Sequence, residues 1–216
     1  MVDAVSVGAY TKGSAGSPKS CVDSISVDGS KPNRILLGLF THSSGGSFGL
    51  DVSNVQLTDS VGGAAFTQVP GSQQPIPSNL GSVQWRYLLA PAGGTHTVTG
   101  NYNGPNWVNG VALVLISLYN VNQATPFGTP VLSAHSGTPI SNAVTTAVRN
   151  LILWGVASSD PVTLNQVARV TNLGAADAGY ADYTSMQAAA GTGTPVTLTS
   201  SNNPVSACSG IPVLAA

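Results

Sequence analysis

The chain has 216 residues, only 7% of them charged, and a formal net charge of −1. Ordinary globular domains carry about 25% charged residues. Seven scattered Lys and Arg cannot build the clustered cationic surface that nucleic acid or an anionic membrane requires, so both are excluded as expected partners.

Glutamate is absent, Lys and Arg are rare, and Gly (25) and Pro (14) are abundant among many Ser, Thr, Asn and Val. Strong helix formers are therefore scarce, while β-branched residues and turn formers dominate. Strand patterns bounded by Gly, Pro, Asn and Ser follow one another along the chain. They are predicted at 4–10, 21–28, 34–42, 52–59, 64–70, 82–90, 95–102 and 110–119, and then at 129–136, 141–148, 150–159, 166–172, 180–189, 195–201 and 205–214. No segment keeps a 3.6-residue period over three turns. The expected fold is all-β, a jelly-roll-like antiparallel β-sandwich forming a single domain over 1–216. The longest polar loop, 71–81, lies between strands expected to pair.

Three strands are apolar on both faces: 35–40, 111–119 and 151–156. In a two-layer sandwich only one face of a strand meets the core. Two covers suit the second face: loops such as 71–81 or 173–179 folding over a sheet, or a neighbouring subunit. "NRILLGLFTHS" (33–43) and "RNLILWGVASS" (149–159) also echo one another. Such an echo suits the similar central strands of the two sheets of a jelly roll, the alternative being a chance likeness of two apolar strands.

No apolar run approaches the roughly 20 residues of a membrane span. The N-terminal stretch lacks a basic segment followed by an apolar one, so no secretory signal is expected. Cys21 and Cys208, near opposite ends of the chain, are a candidate disulfide, the alternative being two separate buried thiols.

Catalytic and metal motifs are weak. "GGSFG" (45–49) matches a nucleophile elbow but is followed by a strand pattern, so it reads as a hairpin loop. His42, His96 and His135 have no metal-ligand spacing and read as surface or satisfied core residues. Asp23, Asp28, Asp51, Asp59 and Asp160 read as strand-end turn residues rather than a catalytic pair. No catalytic, cofactor-binding or metal residue is expected. The candidate contact surface is the loop "NYNGPNWVNG" (101–110), where Tyr102 and Trp107 stand among Asn101, Asn103 and Asn106.

Several pieces in order, "NRILLGLF" (33–40), "VSNVQLTDSVGGAAFTQV" (52–69), "WRYLLAPAGGTHTVTGNY" (85–102), "LYNVNQATPFGT" (118–129) and "RNLILWGVASS" (149–159), resemble a jelly-roll domain of phage virion proteins and bacterial surface proteins. The resemblance covers roughly 20–160. It implies a turn at Pro91, Gly94 and Thr95 and apolar plugs at Phe66 and Phe127, and carries no catalytic residue. The expected role is a non-enzymatic structural virion protein that decorates or cements the outer surface of a phage capsid. Its expected partners are further copies of itself and the major capsid protein. The alternative is a carbohydrate- or receptor-binding module of a fibre or cell surface, with a glycan as partner.

Overall fold

The computed structural model describes residues 2–12, 19–43, 54–79, 81–104, 108, 110–136, 140–144, 150–158, 163–164, 168–170, 183–190, 194–199 and 205–216. The first half contributes β1 (Val2–Val5), β2 (Ala9–Lys12), β3 (Ser20–Val27), β4 (Ile35–Ser43), β5 (Val55–Asp59), β6 (Thr67–Gln68), β7 (Gln74–Ile76), β8 (Gly81–Leu89), β9 (Gly94–Tyr102) and β10 (Gly110–Leu118). The second contributes β11 (Val131–Ser136), β12 (Ile140–Val144), β13 (Leu151–Ser158), β14 (Thr163–Leu164), β15 (Ala168–Val170), β16 (Tyr183–Ala190), β17 (Thr194–Thr199) and β18 (Val205–Val213). There is no α-helix among the described residues, and none is long and apolar enough to cross a membrane. The fold is an antiparallel all-β sandwich, as the composition implies. The loop expected at 71–81 contains β7, which pairs with β8 through Gln74 and Val83.

Two copies of one arrangement make up the chain. In the first half a large sheet runs β1-β10-β4-β8-β6 and a small one β3-β9-β5. In the second the large sheet runs β11-β18-β13-β16-β15 and the small one β12-β17-β14. Strand for strand, the two orders correspond. Order β1-β10-β4-β8 opposite β3-β9-β5 is compatible with a jelly roll. Residues 64–66 run beside β5, with Asp59 N donating to Ala64 O and Phe66 N to Leu57 O, before the chain crosses to the large sheet as β6.

Register fixes the correspondence residue by residue. Ile35 pairs with Leu118 and Leu89, while Leu151 pairs with Val213 and Ala190. Ile35 therefore matches Leu151, Gly38 matches Trp154 and Leu39 matches Gly155. The sequence echo aligns in this same register. It marks equivalent strands of two repeats, not the two sheets of one sandwich.

The repeats meet through their large sheets. Ile35, Leu37, Leu39, Val83, Trp85, Val114, Ile116 and Leu118 form one apolar core with Leu151, Leu153, Ala157, Ala207, Ile211 and Val213. On the opposite face of the first large sheet, Leu36, Phe40, Val111, Leu113 and Leu115 pack with Ile25, Val55, Leu57, Val98 and Tyr102 of the small sheet. This corrects both covers expected for the second apolar face. β4 and β10 are buried on both sides because a second sheet of the same chain lies on them, not a loop or another subunit. β13 is likewise enclosed on both faces: Leu151 and Leu153 point into the shared core, and Ile152, Trp154 and Val156 point away from it yet are fully buried.

Two glycines permit these contacts. A Cβ on Gly100 would stand 2.8 Å from the Phe40 ring, and one on Gly210 would stand 2.6 Å from the Trp154 ring. Aromatic bulk on one strand therefore needs glycine on its neighbour. Phe66 is buried, and Phe127 makes an edge contact with Tyr87 at 5.0 Å, which places both where apolar plugs were expected. Gly94 closes the expected 91–95 turn with φ of 122°, a conformation glycine alone adopts freely.

Candidate functional site

Tyr102 does not belong to the exposed surface expected of it. It is fully buried between the sheets of the first repeat and stacks on His42 with ring centroids 4.5 Å apart. Strand alternation decides this: His96, Val98, Gly100 and Tyr102 of β9 point inward, so Thr95, Thr97, Thr99 and Asn101 point outward. Asn103 is exposed and donates to Gln56 Oε1 at 3.2 Å. Asn106 and Trp107 lie outside the described residues, as do "GGSFG", Asp51 and Asp160.

The outward face of β3-β9-β5 gathers residues far apart in sequence. Register aligns Ser20 and Gln56 with Asn101, Val22 and Thr58 with Thr99, and Ser24 with Thr97. The Ser24 and Thr97 hydroxyls lie 2.9 Å apart. All outward positions of the three strands are uncharged, and Val22 is 53% exposed among them. The result is a pleated face of hydroxyls and amides with one exposed apolar side chain.

Three polar groups lie inside the first sandwich. At one end, His96 Nδ1 sits 2.6 Å from Asp59 Oδ2, and its Nε2 sits 2.9 Å from Ala92 O. Both side chains are 1% exposed, so the pair sits in a dry environment, with Asp59 Oδ1 left without a hydrogen-bond partner among the described residues. Asp23, expected at a strand end, lies within β3 facing inward. It accepts from Ser6 Oγ and from Ser24 N at 2.9 Å, and burial raises its pKa above the ordinary carboxylate value.

The third group is a row along β4 and β8. His42 Nδ1 is 3.2 Å from Ser82 Oγ, and its Nε2 has no hydrogen-bond partner among the described residues. Burial drives the His42 pKa down to about 4, so the ring is neutral. Both side chains of this Ser–His pair are enclosed. Next along β8 stand Gln84, fully buried, and Arg86, 9% exposed. Arg86 Nε donates to Gln84 Oε1 at 3.2 Å and Nη1 to Phe66 O at 3.4 Å. Burial holds the Arg86 pKa below its ordinary value. The sequence reading missed this row. Ser82, Gln84 and Arg86 alternate with Val83, Trp85 and Tyr87, which looks like a strand with one wet face.

Cys21 and Cys208 do not form the candidate disulfide; both are buried thiols. Cys21 faces the core between β3-β9-β5 and the first large sheet. Cys208 alternates with Ala207, which faces the shared core, and so points to the far side of the second large sheet. Two sheet layers separate the thiols, and packed sheets stand about 10 Å apart. A disulfide needs Cα atoms within about 7 Å.

No group of three or more His, Cys, Asp or Glu side chains that could hold a metal ion converges among the described residues. No protein-family model, curated protein or solved structure matches this chain.

Proposed function

We propose that the chain is a non-enzymatic structural protein of a virion surface, which decorates or cements a phage shell through contact with the major capsid protein and with further copies of itself. The observation that carries this reading is the outward face of β3-β9-β5, pleated, uncharged and studded with hydroxyls around Val22. Neutral surfaces of this kind suit broad contact with another protein, because no charge must be desolvated. Low overall charge points the same way. The doubly buried strands no longer count toward it, since the chain covers them itself.

A carbohydrate- or receptor-binding module is the second reading. Asn101, Asn103 and Gln56 favour it by placing three amides at one end of that face.

The test is mass spectrometry of purified virus particles from the source culture, with copy number measured against the major shell protein. Hundreds of copies per particle support decoration or cementing. A few copies support a fibre or receptor-binding part. Absence from particles overturns the virion reading, and a glycan screen then tests the second.

A further inference from the structure

Asn–Gly occurs at 103–104 and again at 109–110. The side-chain amide of an asparagine is open to attack by the backbone nitrogen of the next residue. Glycine, with no Cβ, leaves that approach unhindered. Asn109 lies outside the described residues, so only the first pair has a described geometry.

The structure leaves Asn103 available for this attack. β9 ends at Tyr102, and Asn103 beyond it is exposed. Its backbone is fixed by one bond, from Asn103 N to Asn54 O at 2.7 Å, and its Nδ2 donates to Gln56 Oε1 at 3.2 Å. Gly104 N makes no hydrogen bond among the described residues, so no ladder holds it away from the neighbouring side chain.

Packing requires glycine at 104. A Cβ there would overlap the Tyr102 hydroxyl and ring, and that ring is fully buried and stacked on His42. Lys19 Nζ donates to Gly104 O, which sets a cation beside the reacting peptide. A positive charge favours loss of the Gly104 amide proton and attracts the carboxylate that results.

The Asp–Gly pair at 28–29 offers a contrast. Asp28 Oδ1 accepts from Ser30 N at 2.9 Å and from Ser30 Oγ at 2.7 Å. These bonds hold the carboxyl below the usual carboxylate range, and an ionised carboxylate is a poor target for attack.

We propose that Asn103–Gly104 is a self-acting modification site, at which Asn103 converts to aspartate and isoaspartate as the folded protein ages. Gly104 N bonds to Asn103 Cγ, the Cγ–Nδ2 bond breaks, and ammonia leaves with the proton given up by Gly104 N. Water then opens the cyclic imide at either carbonyl, and is the only co-reactant. The product places a negative charge among the amides of Asn101, Asn103 and Gln56, at one end of an otherwise uncharged face. The conversion does not depend on the virion reading.

The test holds the folded wild-type chain at mildly alkaline pH for weeks, then maps its peptides after digestion in heavy-oxygen water, which labels conversion that occurs during the digestion itself. The expected result is unlabelled aspartate and isoaspartate at position 103, an unconverted Asp28, and an acidic band that grows on isoelectric focusing. Asn103→Gln, whose longer side chain closes its ring less readily, should lose the signal at 103. Gln56→Ala frees the amide and should speed conversion there several-fold. Unlabelled conversion at 103 that responds to Gln56→Ala supports the proposal whether or not Asn109 also converts. An intact Asn103, conversion at 109 alone, or a signal at 103 that carries the label overturns it. So does an equal rate in wild type and Gln56→Ala, which would place the reaction in an unfolded fraction.

Discussion

Leu39 of β4 fills the space over Gly155 of β13, and the two residues hold the same position in the two repeats. A Cβ on Gly155 would overlap Leu39 Cδ1 and stand 3.2 Å from the Trp85 ring. Equivalent positions thus meet as a knob and a hole, and the duplicated sheets differ where they touch. Gly155→Ala should destabilise the chain by about 1–3 kcal/mol through overpacking, and Gly155→Val by more. Urea unfolding monitored by Trp fluorescence checks this. Leu39→Ala in the Gly155→Ala background should recover part of the loss.

Removing His96 should cost more than removing an ordinary core residue. His96→Ala leaves the Asp59 carboxylate buried at 1% exposure without its partner. Breaking a buried pair in this way costs about 3–5 kcal/mol. The double variant Asp59→Asn, His96→Leu should be more stable than His96→Ala, since no lone buried charge remains. Equal stability of the two would show that the pair is not coupled.

His42 makes stability fall on acidification. Its folded pKa lies at about 4, against an ordinary value of 6.5 taken for the unfolded chain. Between these values the unfolded state binds the extra proton, so stability is fully present above about pH 6.5 and drains as pH falls toward about 4. The loss attributable to this ring is about 3 kcal/mol at most. Chemical denaturation across that range should show the slope, and His42→Gln should flatten it.

Both thiols should be silent in the native protein. Burial, and secondarily the Asp23 carboxylate, push the Cys21 thiol up to about 12, and the thiolate is the reactive form. Cys208 is fully enclosed. A thiol reagent at pH 8 should modify neither until denaturant is added and should then modify two, with or without prior reduction. Loss of both titratable thiols in the unreduced protein would reveal a bond.

Charge on the outward face of β3-β9-β5 should separate folding from function. Val22→Lys and Thr99→Lys alter exposed or half-buried outward positions, so stability should stay within about 0.5 kcal/mol. Under the structural reading, particle occupancy by either variant should drop several-fold in a competition with the wild-type chain. Unchanged occupancy would move the contact surface elsewhere.

The sequence by itself determined that the chain is all-β and where most strands run, because β-branched runs, glycine and proline act locally. The pattern at 34–42 became Ile35–Ser43, and the one at 110–119 became Gly110–Leu118. It also showed that β4, β10 and β13 are apolar on both faces. Only the tertiary structure decided what covers them, because that depends on two sheets meeting across the repeats. The same limit governs the polar residues. Alternation says that Tyr102 and Asn101 face opposite ways, and that Arg86 shares a face with Gln84, but not which face is wet. Closure of the small sheet over the large one turned Tyr102 and Arg86 inward and left Asn101 outside. Cys21 and Cys208 lie near the two ends of the sequence, yet two layers of sheet stand between them, and chain position carries no information about layers.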